Sequence, residues 1–256
     1  MHKAVSSPAH TRGWPAQPLH RAADERWLTS GMVLTTVAIM LASIELWFFD
    51  QRLLGRLVQE DGLLENAEAV SYFLASFLLF YIIVVHRVRN IWLLGVALLF
   101  FLVGGEEVSW GQRIFSLATP ETLRAVNVQG ETNLHNVEGL NGSVRALSLL
   151  VLWGLFVAIP VGTLFRPTDR IIRWLALPVA NWGASAAIVV GTVYMILARV
   201  FGQNVFQLDE IGELLVSTAA LGLAFTAWLG RGEKRVAGNR QTTGQLRGPE
   251  RALPPV

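Results

Sequence analysis

Apolar positions in this chain fall in long unbroken runs rather than in the three-to-four spacing of a soluble amphipathic helix. A membrane-crossing helix takes about 20 mostly apolar residues. Six stretches meet that length: 28–49, 67–86, 91–110, 144–165, 174–200 and 209–229. The pattern predicts an all-α polytopic membrane protein, a six-helix transmembrane bundle. Val88-Arg89-Asn90 leaves only a short turn between the second and third runs, so they should form a helical hairpin. Pro160 is expected to kink the fourth span. The fifth is long enough to tilt, or to bend near Pro178 and Gly183. Polar stretches divide the rest into an N-terminal tail (1–27), a transmembrane domain (28–230) with its longest loop at 114–140, and a tail (231–256) whose composition predicts disorder.

Composition agrees. Of 256 residues, 52% are hydrophobic and 16% charged, and the mean hydropathy is +0.44. That is too apolar for an ordinary soluble domain. There are no cysteines, which removes disulfides and thiolate metal sites. The first apolar run is too long for a signal-peptide core. It ends Leu46-Trp47-Phe48-Phe49-Asp50 with no small-x-small pattern, so it should remain as an uncleaved span.

Charge sets an orientation. Fifteen of the Lys and Arg residues fall on the side of the two termini and six on the other, which assigns both termini to the cytoplasm. Trp27, Trp92, Trp174 and Trp228 mark cytoplasmic span ends, with Trp47 and Trp110 at the far interface. The basic residues flank spans and form no single folded face, so the expected partner is the lipid bilayer and not nucleic acid. The acids are biased the other way, with fourteen external or in the outer half of a span and five cytoplasmic.

Several of those acids lie where hydrocarbon is expected, at a cost of roughly 3 kcal/mol each, and this makes them functional candidates. Glu65, Glu68 and Tyr72 share one face of the second span, and Glu210, Glu213 and Ser217 repeat that spacing in the sixth. For Glu65 and Glu210 a plainer role exists, because acids near a helix N-terminus gain from its dipole. The third span ends Gly104-Gly105-Glu106-Glu107-Val108-Ser109-Trp110-Gly111-Gln112-Arg113. Paired glycines permit close helix approach, and adjacent glutamates point about 100° apart, so only one need face an interior site. Arg113 is poorly spaced to pair within its own helix and suits an anionic headgroup or an acid from another helix. Glu45 sits one turn inside the end of the first span, where a protonated glutamate bonded to a neighbour is the alternative.

In the long loop, Thr119-Pro120-Glu121 predicts a short capped helix. The segment from Asn127 to Asn136 is dense in amides and includes Glu131 and His135, the one histidine placed on the outer side. A solvated loop histidine and a ligand are both open readings of His135. Together, Glu45, Glu65, Glu68, Glu106, Glu107, Glu210 and Glu213 with His135 make a candidate metal set. Oxygen donors suit Ca²⁺, Mg²⁺ or Mn²⁺, and one histidine would also admit Zn²⁺ or Fe²⁺. Glu107, His135 and Arg113 are the candidate catalytic groups, as proton handler, ligand or acid/base, and anion clamp. A triad of Ser109, His135 and a glutamate lacks the surrounding nucleophile-elbow pattern.

The strings Gly105-Glu106-Glu107-Val108-Ser109-Trp110-Gly111-Gln112-Arg113 and Gln129-Gly130-Glu131-Thr132-Asn133-Leu134-His135-Asn136 resemble those of a group of uncharacterised bacterial multi-pass membrane proteins. The resemblance implies a bacterial inner-membrane protein and no particular activity. In outline the chain is also similar to the metal-dependent membrane hydrolases related to alkaline ceramidases, but it has no counterpart of their late histidine pair. Three function classes follow. The first is a metal-dependent enzyme acting on a lipid or lipid-linked headgroup at the periplasmic interface. The second is a cation or proton-coupled transporter. The third is a non-catalytic assembly partner in which the acids form a structural polar network.

Overall fold

A computed structural model describes residues 23–59, 62–112, 114–134, 136–201 and 207–230. These are helical, with no β-strand among them beyond an isolated bridge between Asn127 and Val137. The tail assigned to 231–256, and the first 22 residues, lie outside the described residues. Helix α1 (Ala23–Phe49) begins inside the stretch read as the N-terminal tail, and Asp50 then caps the short α2 (Gln51–Leu57) by accepting Leu53 N–H at 2.9 Å. Next come α3 (Leu63–Val85), α4 (Ile91–Glu107), α5 (Glu121–Arg124), α6 (Asn141–Trp153), α7 (Ile159–Gly162), α8 (Arg166–Leu175), α9 (Trp182–Phe201) and α10 (Leu208–Leu229).

Five helical segments are long and apolar enough to cross a membrane: Glu25–Phe49, Leu63–Val85, Gly142–Gly162, Trp182–Phe201 and Leu208–Leu229. The expected third span is shorter than its apolar run. α4 has 17 residues, about 25 Å of helix, because the backbone turns left-handed at Ser109 and Trp110.

Two further differences have local causes. The fifth apolar run is not one helix from 174. Trp174 belongs to α8, Ala176 is left-handed, and residues 177–181 are not helical before α9 starts at Trp182. Pro178 disfavours the helical conformation in the residue before it. Asn181 then starts α9, its side-chain oxygen accepting Ala184 N–H at 2.9 Å. Around Pro160 the chain makes a π-helical turn over Gly154–Ala158. Widening the helix there accommodates the proline ring and the missing donor.

α10 is the most buried of the five candidate spans and packs against α9, α3 and α1, while α3 lies between α10 and α4. Between helices in lipid the stabilisation comes from close packing and hydrogen bonds rather than from water exclusion. Small residues allow it. A Cβ on Gly191 would lie 2.7 Å from the Gly212 carbonyl, and one on Gly212 equally close to that of Gly191, so α9 and α10 touch backbone to backbone. Polar side chains bridge the helices, those of Asn181 and Ser76 fully buried. Asn181 donates to Thr226 Oγ1 at 2.9 Å, Ser76 to the Ala97 carbonyl at 2.8 Å, and Trp153 Nε1 to Thr192 Oγ1 at 3.0 Å.

This packing gives the bundle two chemically distinct ends. The starts of α3 and α10 and the end of α4 meet at an acidic end. The Arg87–Asn90 turn, α8 and the last turn of α10 lie at the opposite, basic end, where Trp228 packs against Tyr81 and His86.

Candidate cation site

The acidic end is built by three helices, α3, α4 and α10, with α3 packed against both of the others. On α3, Glu68, Tyr72, Ala75, Ser76 and Leu79 are buried and follow helical spacing, so the glutamate belongs to the stripe that forms the core. On α4, Gly104 faces that stripe. A Cβ there would sit 3.2 Å from Tyr72 Cβ and 3.3 Å from the Ala69 carbonyl. The close approach carries Glu107, one turn on, to the level of Glu68. α10 contributes Glu213, one turn below Glu210.

Glu68, Glu107 and Glu213 each place one carboxylate oxygen so that all three atoms lie within 4.8 Å of one another. Glu68 is 1% exposed, and its Oε1 is buried without a hydrogen-bond partner; Glu107 and Glu213 are half-buried. Two unit charges about 4 Å apart repel by roughly 4 kcal/mol at the effective dielectric of a protein edge. Three carboxylates at this spacing raise one another's cost of carrying charge, and the cost falls most heavily on the buried Glu68. Glu65 and Glu210 stand one turn nearer the helix starts and add to the negative field at Glu68. Tyr72 is buried in the same field.

The remaining expected members go elsewhere. Glu45 is exposed and is not in the three-carboxylate group. α1 turns Met32, Thr36 and Ser43 toward the bundle, and Glu45, two residues past Ser43, lies about 200° around the helix from it. Glu106 faces the loop, away from its neighbour Glu107. Its Oε1 accepts Trp110 Nε1–H at 2.8 Å and its Oε2 accepts Leu134 N–H at 2.6 Å. Arg113 and His135 lie outside the described residues.

The loop itself is folded by a buried polar network that the amide-rich sequence only hinted at. Asn127 is the hub. Its Oδ1 accepts the N–H groups of Gln129 and Glu131, both at 3.0 Å, and its Nδ2 donates to Asn133 Oδ1 at 2.8 Å. Glu131 Oε2 accepts from Ser109 Oγ at 2.6 Å and from Asn133 Nδ2 at 2.8 Å. Ser109, Asn127, Glu131 and Asn133 are all buried. Gln112 joins them, accepting Thr132 N–H at 2.6 Å and donating to Thr119 Oγ1 at 2.7 Å. Thr119 is thus not the cap of α5, whose N-cap is Pro120; its own hydroxyl donates to the Gly130 carbonyl at 2.8 Å. Ser109 donates to Glu131; the triad reading also requires His135, which lies outside the described residues.

Left-handed backbone at Ser109, Trp110 and Gly111 (φ 45°, 55° and 74°) turns the chain at the end of α4. It folds the Trp110 indole onto Gly105, where a Cβ would meet the ring at 2.9 Å. The two glycines therefore have separate uses, Gly104 for α3 and Gly105 for the indole. Two non-glycine residues in this conformation cost about 1–2 kcal/mol each, offset by the network they anchor.

No family model, curated protein or solved structure matches this chain.

Proposed function

We propose that this chain is a bacterial inner-membrane protein of six spans with cytoplasmic termini. On this reading it binds a divalent cation at its outer, acidic end and uses it on a lipid or lipid-linked headgroup. The observation that carries the reading is the convergence of Glu68, Glu107 and Glu213, with an orphaned oxygen on the fully buried Glu68. Three carboxylates favour Mg²⁺, Mn²⁺ or Ca²⁺; Zn²⁺ would need His135 as well. α4 serves as the remaining span, short but within reach of a bilayer that thins locally or a helix with little tilt. A cation in such a site polarises a phosphoryl or carbonyl oxygen or lowers the pKa of a bound water. The site's position supports interfacial chemistry. Glu68 and Glu213 are each the sixth residue of their helices and Glu107 ends its own, which is headgroup depth rather than the midplane.

The test is metal analysis of the purified full chain, followed by turnover of phospholipid and lipid-linked substrates with and without added Mg²⁺, Mn²⁺ or Ca²⁺. Retained or stabilising metal that is lost in Glu68→Gln and Glu107→Gln supports the site, and metal-dependent turnover supports the enzyme. The complete burial of Glu68 favours a second reading, transport of a cation or of protons. That reading expects liposome flux dependent on Glu68 and no turnover. If neither appears, and the Gln variants alter only stability or complex formation, the cluster belongs to a structural assembly partner.

A further inference from the structure

At the end of the bundle opposite the glutamates, the chain places a helix that the six-run pattern did not separate from its neighbours. α8 spans ten residues, and Ile172 is its only buried side chain, packed onto Gly162. Its residues segregate more sharply into polar and apolar faces than those of α1, α3, α4, α6, α9 or α10. At 100° per residue, Arg166, Arg170 and Arg173 fall within about 60° of arc. Ile171, Ile172, Trp174 and Leu175 occupy about 160° beside them. Trp174 is 77% exposed and Ile171 53%. Exposed in water, that apolar arc would be unfavourable; at a bilayer surface it is the expected mode of seating for an amphipathic helix.

The helix is also held in place. Thr168 Oγ1 bonds the carbonyls of Gly162 and Phe165, fixing its start to α7. At its other end Asn90 does two things at once. Its Oδ1 accepts Trp92 N–H at 2.9 Å and Leu93 N–H at 3.1 Å, capping α4, and its Nδ2 donates to the Ala176 carbonyl at 2.7 Å. That bond brings the end of α8 against the turn that carries Arg87 and Arg89, both exposed. Arg173 pairs with Asp169, which steers one guanidinium along the helix. The result is a surface with arginines from two segments at one level of the bundle, bordered by exposed Trp174 and Ile171.

We infer that α8, with the Arg87–Arg89 turn, is a binding site for anionic phospholipid headgroups. Charge complementarity identifies the occupant: the arginines match phosphate, and the neighbouring indole and aliphatic side chains match the start of the acyl chains. The site does not depend on the glutamate cluster, since about 25 Å of helix separates Glu68 from the end of α3 at Val85, two residues before Arg87.

The test is native mass spectrometry of the full chain after exchange into mixed phosphatidylglycerol and phosphatidylcholine, read as the ratio of retained lipids. The wild type should retain phosphatidylglycerol preferentially. Arg170→Gln alone should lower that preference roughly fivefold, and Arg166→Gln with Arg170→Gln and Arg173→Gln more, at about that factor per arginine. Arg52→Gln with Arg56→Gln, on α2 at the other end, should leave it unchanged. Millimolar glycerol phosphate should not displace the lipid, because it lacks the acyl chains that meet Trp174. Quenching of Trp174 by brominated phosphatidylglycerol, assigned by difference against Trp174→Phe, gives a second readout if the triple variant does not fold. Equal retention of both lipids by the wild type would overturn the proposal. So would displacement by glycerol phosphate, or a change in oligomeric state in place of lipid loss, which would mark the surface as a contact between copies.

Discussion

Two buried glutamates about sixty positions apart in sequence have opposite surroundings. Glu131, 7% exposed, receives two hydrogen bonds on one oxygen and sits in a network whose hub, Asn127, holds the backbone on either side. Glu68, 1% exposed, has an oxygen with no hydrogen-bond partner and two other carboxylates within reach. The first arrangement needs nothing more to be stable. The second is incomplete as it stands, and a group that the fold alone does not satisfy is where a ligand belongs. The difference separates a carboxylate that builds the structure from one that the proposed function assigns to a cation.

Removing the satisfied glutamate should do the greater damage. Glu131→Ala leaves Ser109 without its acceptor and Asn133 with only Ser109 Oγ at 3.0 Å, and should cost about 3 kcal/mol of stability. Chemical or thermal unfolding of the detergent-solubilised protein should show the loss, and no divalent cation should restore it. If cation does restore it, the two glutamates belong to one site and the contrast between them fails.

Slightly smaller is the gain from filling the unsatisfied site. A cation at one hundred times its dissociation constant should stabilise the wild type by about 2.7 kcal/mol. Glu68→Gln should abolish that increment. Without added cation the variant should unfold no more easily than the wild type, since it removes a like charge rather than a bond. A variant that unfolds markedly earlier without cation would make Glu68 structural.

Gly104→Ala tests the packing that sets the site's dimensions. The new methyl would press on Tyr72 Cβ at 3.2 Å and the Ala69 carbonyl at 3.3 Å, costing about 1–2 kcal/mol through overpacking. Because α4 must move from α3, the cation response should weaken along with stability. Smallest is Glu106→Gln, expected to cost about 1 kcal/mol through its contacts to Trp110 and Leu134, with the cation response intact. If Glu106→Gln instead eliminates the response, the division of work between Glu106 and Glu107 is wrong.

Much of this molecule is legible in the residue order, and the limits have local causes. Five of the apolar runs contain helices long and apolar enough to cross a membrane among the described residues, because hydrocarbon-length stretches leave little alternative. Their ends are set by local contacts. Nothing in the run from 174 to 200 announces that Trp174 belongs to a separate surface helix, except Pro178 and the arginines ahead of it. The 100° rule shows that Glu106 and Glu107 diverge but not which one turns inward. Glu45 illustrates the converse. An acid near a span end looks equivalent to the others until the packed face of α1 is known, and that face runs through Thr36 and Ser43.

What the order of residues determines unaided is the chemistry available at each level of the bundle: long apolar helices, most of the carboxylates at one end, and most of the arginines at the other. Those follow from spacing along a helix, a property of neighbours in sequence. Which carboxylates meet is decided only by tertiary contact. The close approach of α4 to α3 through Gly104 brings Glu107 to Glu68, the packing of α10 on α3 adds Glu213, and the turn at Ser109 and Trp110 sends Glu106 to the loop. These are distances between residues tens of positions apart, set by which helix surfaces can approach, and a single helix's periodicity carries no information about them.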